Sequence, residues 1–254
     1  MLVLMVILPA TSIVAQSIRF LHHLQLENGI HPDYREENEL IIRAFIPKPL
    51  KYLENVPHEA LEIGRDQLII RLKNYIPVKP GNTSDYLQST FLIDFEEAVF
   101  AEIEDDILKQ FGKSPKARDL NGFVYDLLEK TMDRIYDPSS IVLKNKRGDC
   151  SEHATLLTAL LRKYQIPAKT IHGVMLTFNN QKHEWTAFGH AWVEYRQDGE
   201  WKGLDPSFNQ PTNKNYIANF ALQDEGLTYT MAMINQQMTI GIQKLGIERQ
   251  IATK

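Results

Sequence analysis

Ala154, Leu156, Leu157, Ala159, Leu160 and Leu161 follow one another so densely that a helix through them is apolar on most of its faces. Such a helix is stable only when other layers surround it, so this segment has to run through the middle of a domain. Its start can also be read. Asp149-Cys150-Ser151-Glu152 fits a capping box, with Asp149 as N-cap and Glu152 at the third helical position, which makes Cys150 the first helical residue. Gly148 lets the chain turn into the helix, and the helix ends before Ile166-Pro167.

Cys150 is the one cysteine in 254 residues and cannot close an intramolecular disulfide. At a helix N-terminus the backbone dipole favours negative charge on the sulfur, which is how a thiol nucleophile is prepared. The plainer reading, a small buried hydrophobe, describes most free cysteines. Those sit mid-element among leucines, whereas this one follows Arg147-Gly148-Asp149 at a cap.

Three strand-like runs come next, over 168–178, 184–195 and 200–205. Asp198-Gly199 is a strong two-residue hairpin signal between the last two. With that turn, paired positions sum to 397, so Trp192 faces Asp205, and His190 and Asp205 lie on one face as diagonal neighbours. A three-residue loop would shift the register by one and send Asp205 to the opposite face. Taken singly, His190 could be a hydrogen-bonded core histidine and Asp205-Pro206 the start of a turn. Together with the capped cysteine they make a nucleophile, a base and a group that orients the base. Trp192 either shields the His190–Asp205 pair from water or is plain core.

The rest of the chain frames this set. Residues 40–95 read as a small β-rich region, with strands at 40–46 and 67–76. From Glu96 the spacing becomes helical, over 96–111 and again over 117–136, where Leu120, Val124, Leu127 and Leu128 form one stripe; two helices thus precede the cysteine. The first 15 residues are uncharged and mostly apolar, shorter than the about 20 a bilayer span needs but suited to a secretory signal. No positive residue precedes that run, and a buried strand or a displaced start codon is the alternative. Export to the periplasm or beyond is therefore expected, with a cytoplasmic protein as the other reading. The chain divides into the apolar start (1–16), a β-rich region (17–95), a core (96–212) and a C-terminal β extension (213–254). That extension alternates at Met238, Ile240 and Ile242 and is expected to close the sheet while adding no chemical group.

Hydrophobic residues make up 43% and charged residues 24%, an ordinary globular composition with room for a sizeable core. The net charge is −4 and no lysine/arginine cluster stands out, which removes the electrostatic basis for nucleic acid as a partner.

These residues resemble the transglutaminase-like core superfamily, similar in architecture to papain-like cysteine enzymes. The stretch 147–174 looks like the family's cysteine helix and following strand, Gly189–Tyr195 like its histidine strand, and Trp201–Phe208 like its aspartate segment. The order Cys, His, Asp agrees, at spacings of 40 and 15 residues. The resemblance covers roughly 96–210 and implies an α+β fold, with a central cysteine-bearing helix packed on an antiparallel sheet and preceded by the small β-rich region. It implies Cys150 as nucleophile, His190 as general base and acid, and Asp205 as orienter, acting on the amides of a protein or peptide substrate. Hydrolysis is the expected outcome; cross-linking, and a non-catalytic binding or scaffold module, are the alternatives. The oxyanion would be held by the Cys150 N–H and an upstream side-chain donor, which is a tryptophan in the eukaryotic transglutaminases. Here Trp185, Trp192 and Trp201 all lie downstream of the cysteine, and Tyr136 is the substitute.

Zinc is a rival use of the same residues, through Cys150-x2-His153 with His190 and Asp205. The capping position and the diagonal pair fit a triad better, so no metal and no cofactor is expected. His172, His183 and His22-His23 are read as strand or loop residues without a chemical role.

Overall fold

The computed structural model describes residues 74–78, 81–132, 137–179, 181 and 184–221, with strand segments at 24–27, 40–45, 61–63, 67–72 and 244–249. The apolar start, His22-His23, Tyr136, His183 and the alternation at Met238, Ile240 and Ile242 lie outside these residues.

Four helices are described: α1 (Ala101–Phe111), α2 (Ala117–Leu127), α3 (Ser139–Asn145) and α4 (Cys150–Lys163). The upstream strands are β1 (Leu24–Glu27), β2 (Leu40–Phe45), β3 (Leu61–Ile63), β4 (Gln67–Leu72), β5 (Glu129–Lys130) and β6 (Arg147–Gly148). After α4 come β7 (Ala168–Asn179), β8 (Glu184–Gln197), β9 (Glu200–Asp205), β10 (Gln210–Pro211), β11 (Tyr216–Ala221) and β12 (Lys244–Arg249). β7 and β8 pair antiparallel over twelve positions, from Ala168↔Tyr195 to Asn179↔Glu184. β11 lines the other edge of β7, β9 pairs the end of β8, and β1 pairs its beginning. From β1 the sheet continues through β12, β2, β4 and β3.

The helix that must be buried is buried: every residue of α4 from Ser151 to Arg162 lies in the interior. Leu156, Leu157, Leu160 and Leu161 share one core with Ala191, Val193 and Tyr195, the odd-numbered positions of β8, and with Leu120 and Val124 of α2. At about 1.5–3 kcal/mol for each fully buried leucine, this contact is the main driving force for docking helix on sheet. The even-numbered positions face away. Trp192 there packs with Ile171, Met175, Tyr216, Ala218 and Val78 in a second core.

The helical segments differ from the sequence expectation. The first starts at Ala101, after a 3-10 turn over Ala98–Phe100. The second ends at Leu127, because Leu128 is extended and Glu129 and Thr131 donate their N–H groups to Lys146 and Gly148 in a parallel ladder. A third helix, α3, also precedes the cysteine. It spans only seven residues, too few for a visible period, and is fixed from a distance. The Asp94 carboxylate accepts from Ser139 Oγ (2.6 Å), Ser140 N (2.8 Å) and Ser140 Oγ (2.6 Å) at its first turn.

Gly173 stands opposite His190 in the β7–β8 ladder. A Cβ at Gly173 would lie 2.2 Å from the Ile217 carbonyl oxygen and 2.4 Å from the Trp192 ring, so only glycine lets β11 and the indole close over this point. Gly173→Ala is expected to overpack the site by about 1–3 kcal/mol, read as a lower melting temperature.

Candidate active site

The N-terminus of α4 is built as its sequence indicates. Asp149 is extended, its carboxylate accepts from Ser151 N at 2.7 Å, and Glu152 Oε2 accepts from Asp149 N at 2.9 Å, which completes the capping box. A Cβ on Gly148 would lie 2.2 Å from Glu152 Cβ, so the glycine is needed for space beside the cap. Cys150 is half-buried at the first helical position, where an N–H has no intrahelical acceptor. Burial, and then the neighbouring Asp149, push the Glu152 carboxyl up to about 7.

The hairpin that carries the other two residues has the anticipated register. Asp198 (φ 54°) and Gly199 (φ 84°) form the two-residue turn, and the five β8–β9 pairs from Gln197↔Glu200 to Val193↔Leu204 all sum to 397. His190 Nε2 and Asp205 Oδ2 are 2.7 Å apart and buried. Oδ2 also accepts from the Tyr216 hydroxyl at 2.7 Å. Oδ1 accepts from Ser207 N (2.9 Å), Ser207 Oγ (2.7 Å) and Phe208 N (3.2 Å). Burial favours a neutral Asp205, but the bonds from His190, Tyr216 and Ser207 hold it below the usual carboxylate value.

His190 is enclosed by rings. Trp192 stacks on it at 6.2 Å between centroids, Phe188 and Phe208 each lie at 5.6 Å, and Tyr216 at 6.0 Å. Burial in this cage opposes the charged imidazolium, yet hydrogen bonding to Asp205 and Cys150, with the charges of both, lifts the ring to about 9. The structure thus brings Cys150, His190, Asp205 and Trp192 into one cluster. Trp192 is fully buried in the second core, and its ring stacks on that of His190.

The expectation that the C-terminal extension adds no chemical group is corrected by Tyr216. Its hydroxyl reaches Asp205 because β11 folds back along β7. Burial and then the Asp205 charge raise the phenol, which keeps it a donor. The only earlier signal was its place in the apolar run that opens the extension. His172 lies on the face of β7 toward α4, and burial lowers its ring to about 4, so it is neutral near pH 7. His153 is buried with Nδ1 2.7 Å from the Asp149 carbonyl oxygen, and burial lowers it too. Among the described residues, no group of three or more His, Cys, Asp and Glu side chains has a geometry that could hold a metal ion.

Residues 109–206 match the family model of the transglutaminase-like superfamily. A candidate cysteine protease from Cytophaga hutchinsonii superposes with a TM-score of 0.50 at 12% identity, covering 92% of this chain and 89% of that one. The periplasmic domain of TgpA from Pseudomonas aeruginosa, bound to ethylmercury, gives 0.45 at 17% identity over 79% and 95%. Red sea bream transglutaminase gives 0.37 at 13% over 72% and 47%. Identities this low bear on the fold alone, and only the first superposition is close enough to carry that argument. A search of curated proteins gives no significant match. No helix among the described residues is long and apolar enough to cross a membrane.

Proposed function

We propose that the protein transfers acyl groups through a Cys150 thioester, acting on protein or peptide amides, with hydrolysis as the outcome. The observation that carries this reading is His190: a buried imidazole held by Asp205 through Nε2 and lifted to about 9 by hydrogen bonds to Asp205 and Cys150. A histidine kept protonated beside a cysteine is the acid that thiol chemistry needs. The Cys150 sulfur attacks the amide carbonyl carbon, and the carbonyl electrons move to oxygen. As they return, the C–N bond breaks and the nitrogen takes the His190 proton, leaving a thioester. His190, now neutral, accepts a proton from water while the hydroxide attacks the thioester. The C–S bond then breaks with its electron pair going to sulfur, the acid departs, and the imidazole keeps the proton taken from water. The N–H of Cys150 is one donor to the oxyanion, and we assign the second to Tyr136.

The test compares Cys150→Ala with wild type for amide hydrolysis and for incorporation of a primary amine into protein. Wild type is expected to hydrolyse, and the variant to lose at least about 10³-fold, the scale of removing a covalent nucleophile. Amine incorporation that outpaces hydrolysis would replace this reading by a cross-linking enzyme. Equal rates for the two proteins would leave a non-catalytic module.

A further inference from the structure

Residues 74–78, which precede the family-matched segment, lie over the face of the sheet away from α4 and meet a group of buried polar side chains there. Trp192 Nε1 donates to the Tyr75 hydroxyl at 2.7 Å, and the two rings meet edge to face at 6.2 Å. The Tyr75 hydroxyl in turn donates to Glu194 Oε1. That oxygen also accepts from Val78 N at 2.9 Å, while Lys169 Nζ lies 3.0 Å from Glu194 Oε2 and donates to the Val78 carbonyl at 2.8 Å. Lys169 and Glu194 are wholly buried, and the ammonium sits 4.5 Å from the centroid of the Trp201 ring.

From this closed ring of bonds we infer that Tyr75 is a positioning residue for the reaction: by fixing the Trp192 indole from the outer face of the sheet, it holds the His190 ring in line with both Asp205 and Cys150. The inference rests on the acyl-transfer reading above. Three observations support it. Trp192 is the ring most nearly parallel to His190, at 28°, so a tilt of the indole is felt by the imidazole directly. Burial and then Glu194 push the Tyr75 phenol well above its usual value, so it stays a donor to Glu194 and leaves its oxygen free to accept from the indole. A buried ion pair is a weak source of net stability compared with apolar packing, and its best-attested use is to fix one arrangement. Here the arrangement it fixes is the path of Tyr75 and Val78 across Trp192.

Cys150 is the single cysteine, so alkylation by iodoacetamide, followed by intact mass on the full chain from pH 5 to 9, reports the site without a known substrate. Besides Trp192, the titratable groups that act on His190 are Asp205 from β9, Cys150 from α4 and Tyr216 from β11, with His172 of β7 coupled to it by charge through the sheet. None is altered by Tyr75→Phe. That variant is expected to alkylate about fivefold more slowly at pH 6, the effect of one net hydrogen bond, and to regain rate as the pH rises. Trp192→Phe, which cuts the same bond from its other end, should match it, and the double variant should be no slower than Trp192→Phe alone. A Tyr75→Phe protein that melts lower but keeps the wild-type alkylation profile would overturn the inference and leave Tyr75 a packing residue. If it does not fold, Trp192→Phe decides on the same terms. A His190→Ala protein that alkylates like wild type would instead overturn the acyl-transfer reading itself.

Discussion

Asp205→Ala is expected to lower stability by about 3–5 kcal/mol, the cost of breaking a buried charge pair, and to slow alkylation of Cys150 at pH 6 on the order of a hundredfold. The size follows from what the carboxylate does. Asp205 accepts five hydrogen bonds, from His190, Tyr216, Ser207 twice and Phe208, and no water replaces them easily at a side chain with no accessible surface. Alanine would strand the donors of Ser207 and Tyr216 and leave the His190 ring free to turn. Asp205→Asn separates the two effects. The amide keeps the shape and can still accept from Ser207, so urea unfolding should recover much of the stability. It brings no negative charge to His190, so alkylation at pH 6 should stay slow. An Asn variant as fast as wild type would mean that the carboxylate only builds the turn after β9, and the triad reading would fall.

The residues legible from sequence are those whose geometry is set by short-range rules. Cys150 could be placed because a capping box defines the first helical residue, and α4 because an all-apolar helix has one place to go. The His190–Asp205 contact came from counting across Asp198-Gly199, since a two-residue turn leaves a hairpin one register. Asp205-Pro206 also starts a turn, as the sequence indicates. The bond from Ser207 N to Asp205 Oδ1 is a turn in its own right, and the same carboxylate serves the turn and the histidine.

What escaped the sequence depends on how distant segments cross. Tyr216 meets Asp205 only because β11 returns antiparallel to β7 with a register shift between Ala218 and Phe220, and nothing local marks a tyrosine as the one that turns inward. Tyr75 lies 117 positions from Trp192. α3 owes its first turn to Asp94, in a segment whose own pattern suggests no partner. Composition and periodicity describe an element and its buried side; they do not say which far segment supplies the last donor.

The stability of the fold should fall as the pH rises from 6.5 to about 9, on the order of 3 kcal/mol, and this loss should be absent from His190→Gln. His190 is raised from 6.5 to about 9 in the fold, so the folded state holds a proton that the unfolded chain has released. Its contribution is complete below 6.5 and is lost as the pH climbs through about 9. Glu152, raised from 4.5 to about 7, acts in the same sense at lower pH, with stability lost as the pH rises from 4.5 through about 7. His172 has the opposite sign. Lowered from 6.5 to about 4, it contributes stability above 6.5 that is lost as the pH falls through about 4. Between about 4.5 and 6.5 the Glu152 and His172 slopes therefore offset each other, and the alkaline decline belongs to His190. Urea unfolding of wild type and His190→Gln at intervals from pH 5 to 9 measures it, because the difference between the two profiles removes the titrating groups that His190 does not touch. Parallel profiles would mean that the imidazole loses its proton at its ordinary value in solution, which would require the bonds to Asp205 and Cys150 to be open in the resting protein. A histidine in that state is mostly neutral above pH 7 and loses most of the acid form that a leaving amine needs, so this equilibrium measurement tests the acid of the proposed reaction before any substrate is known.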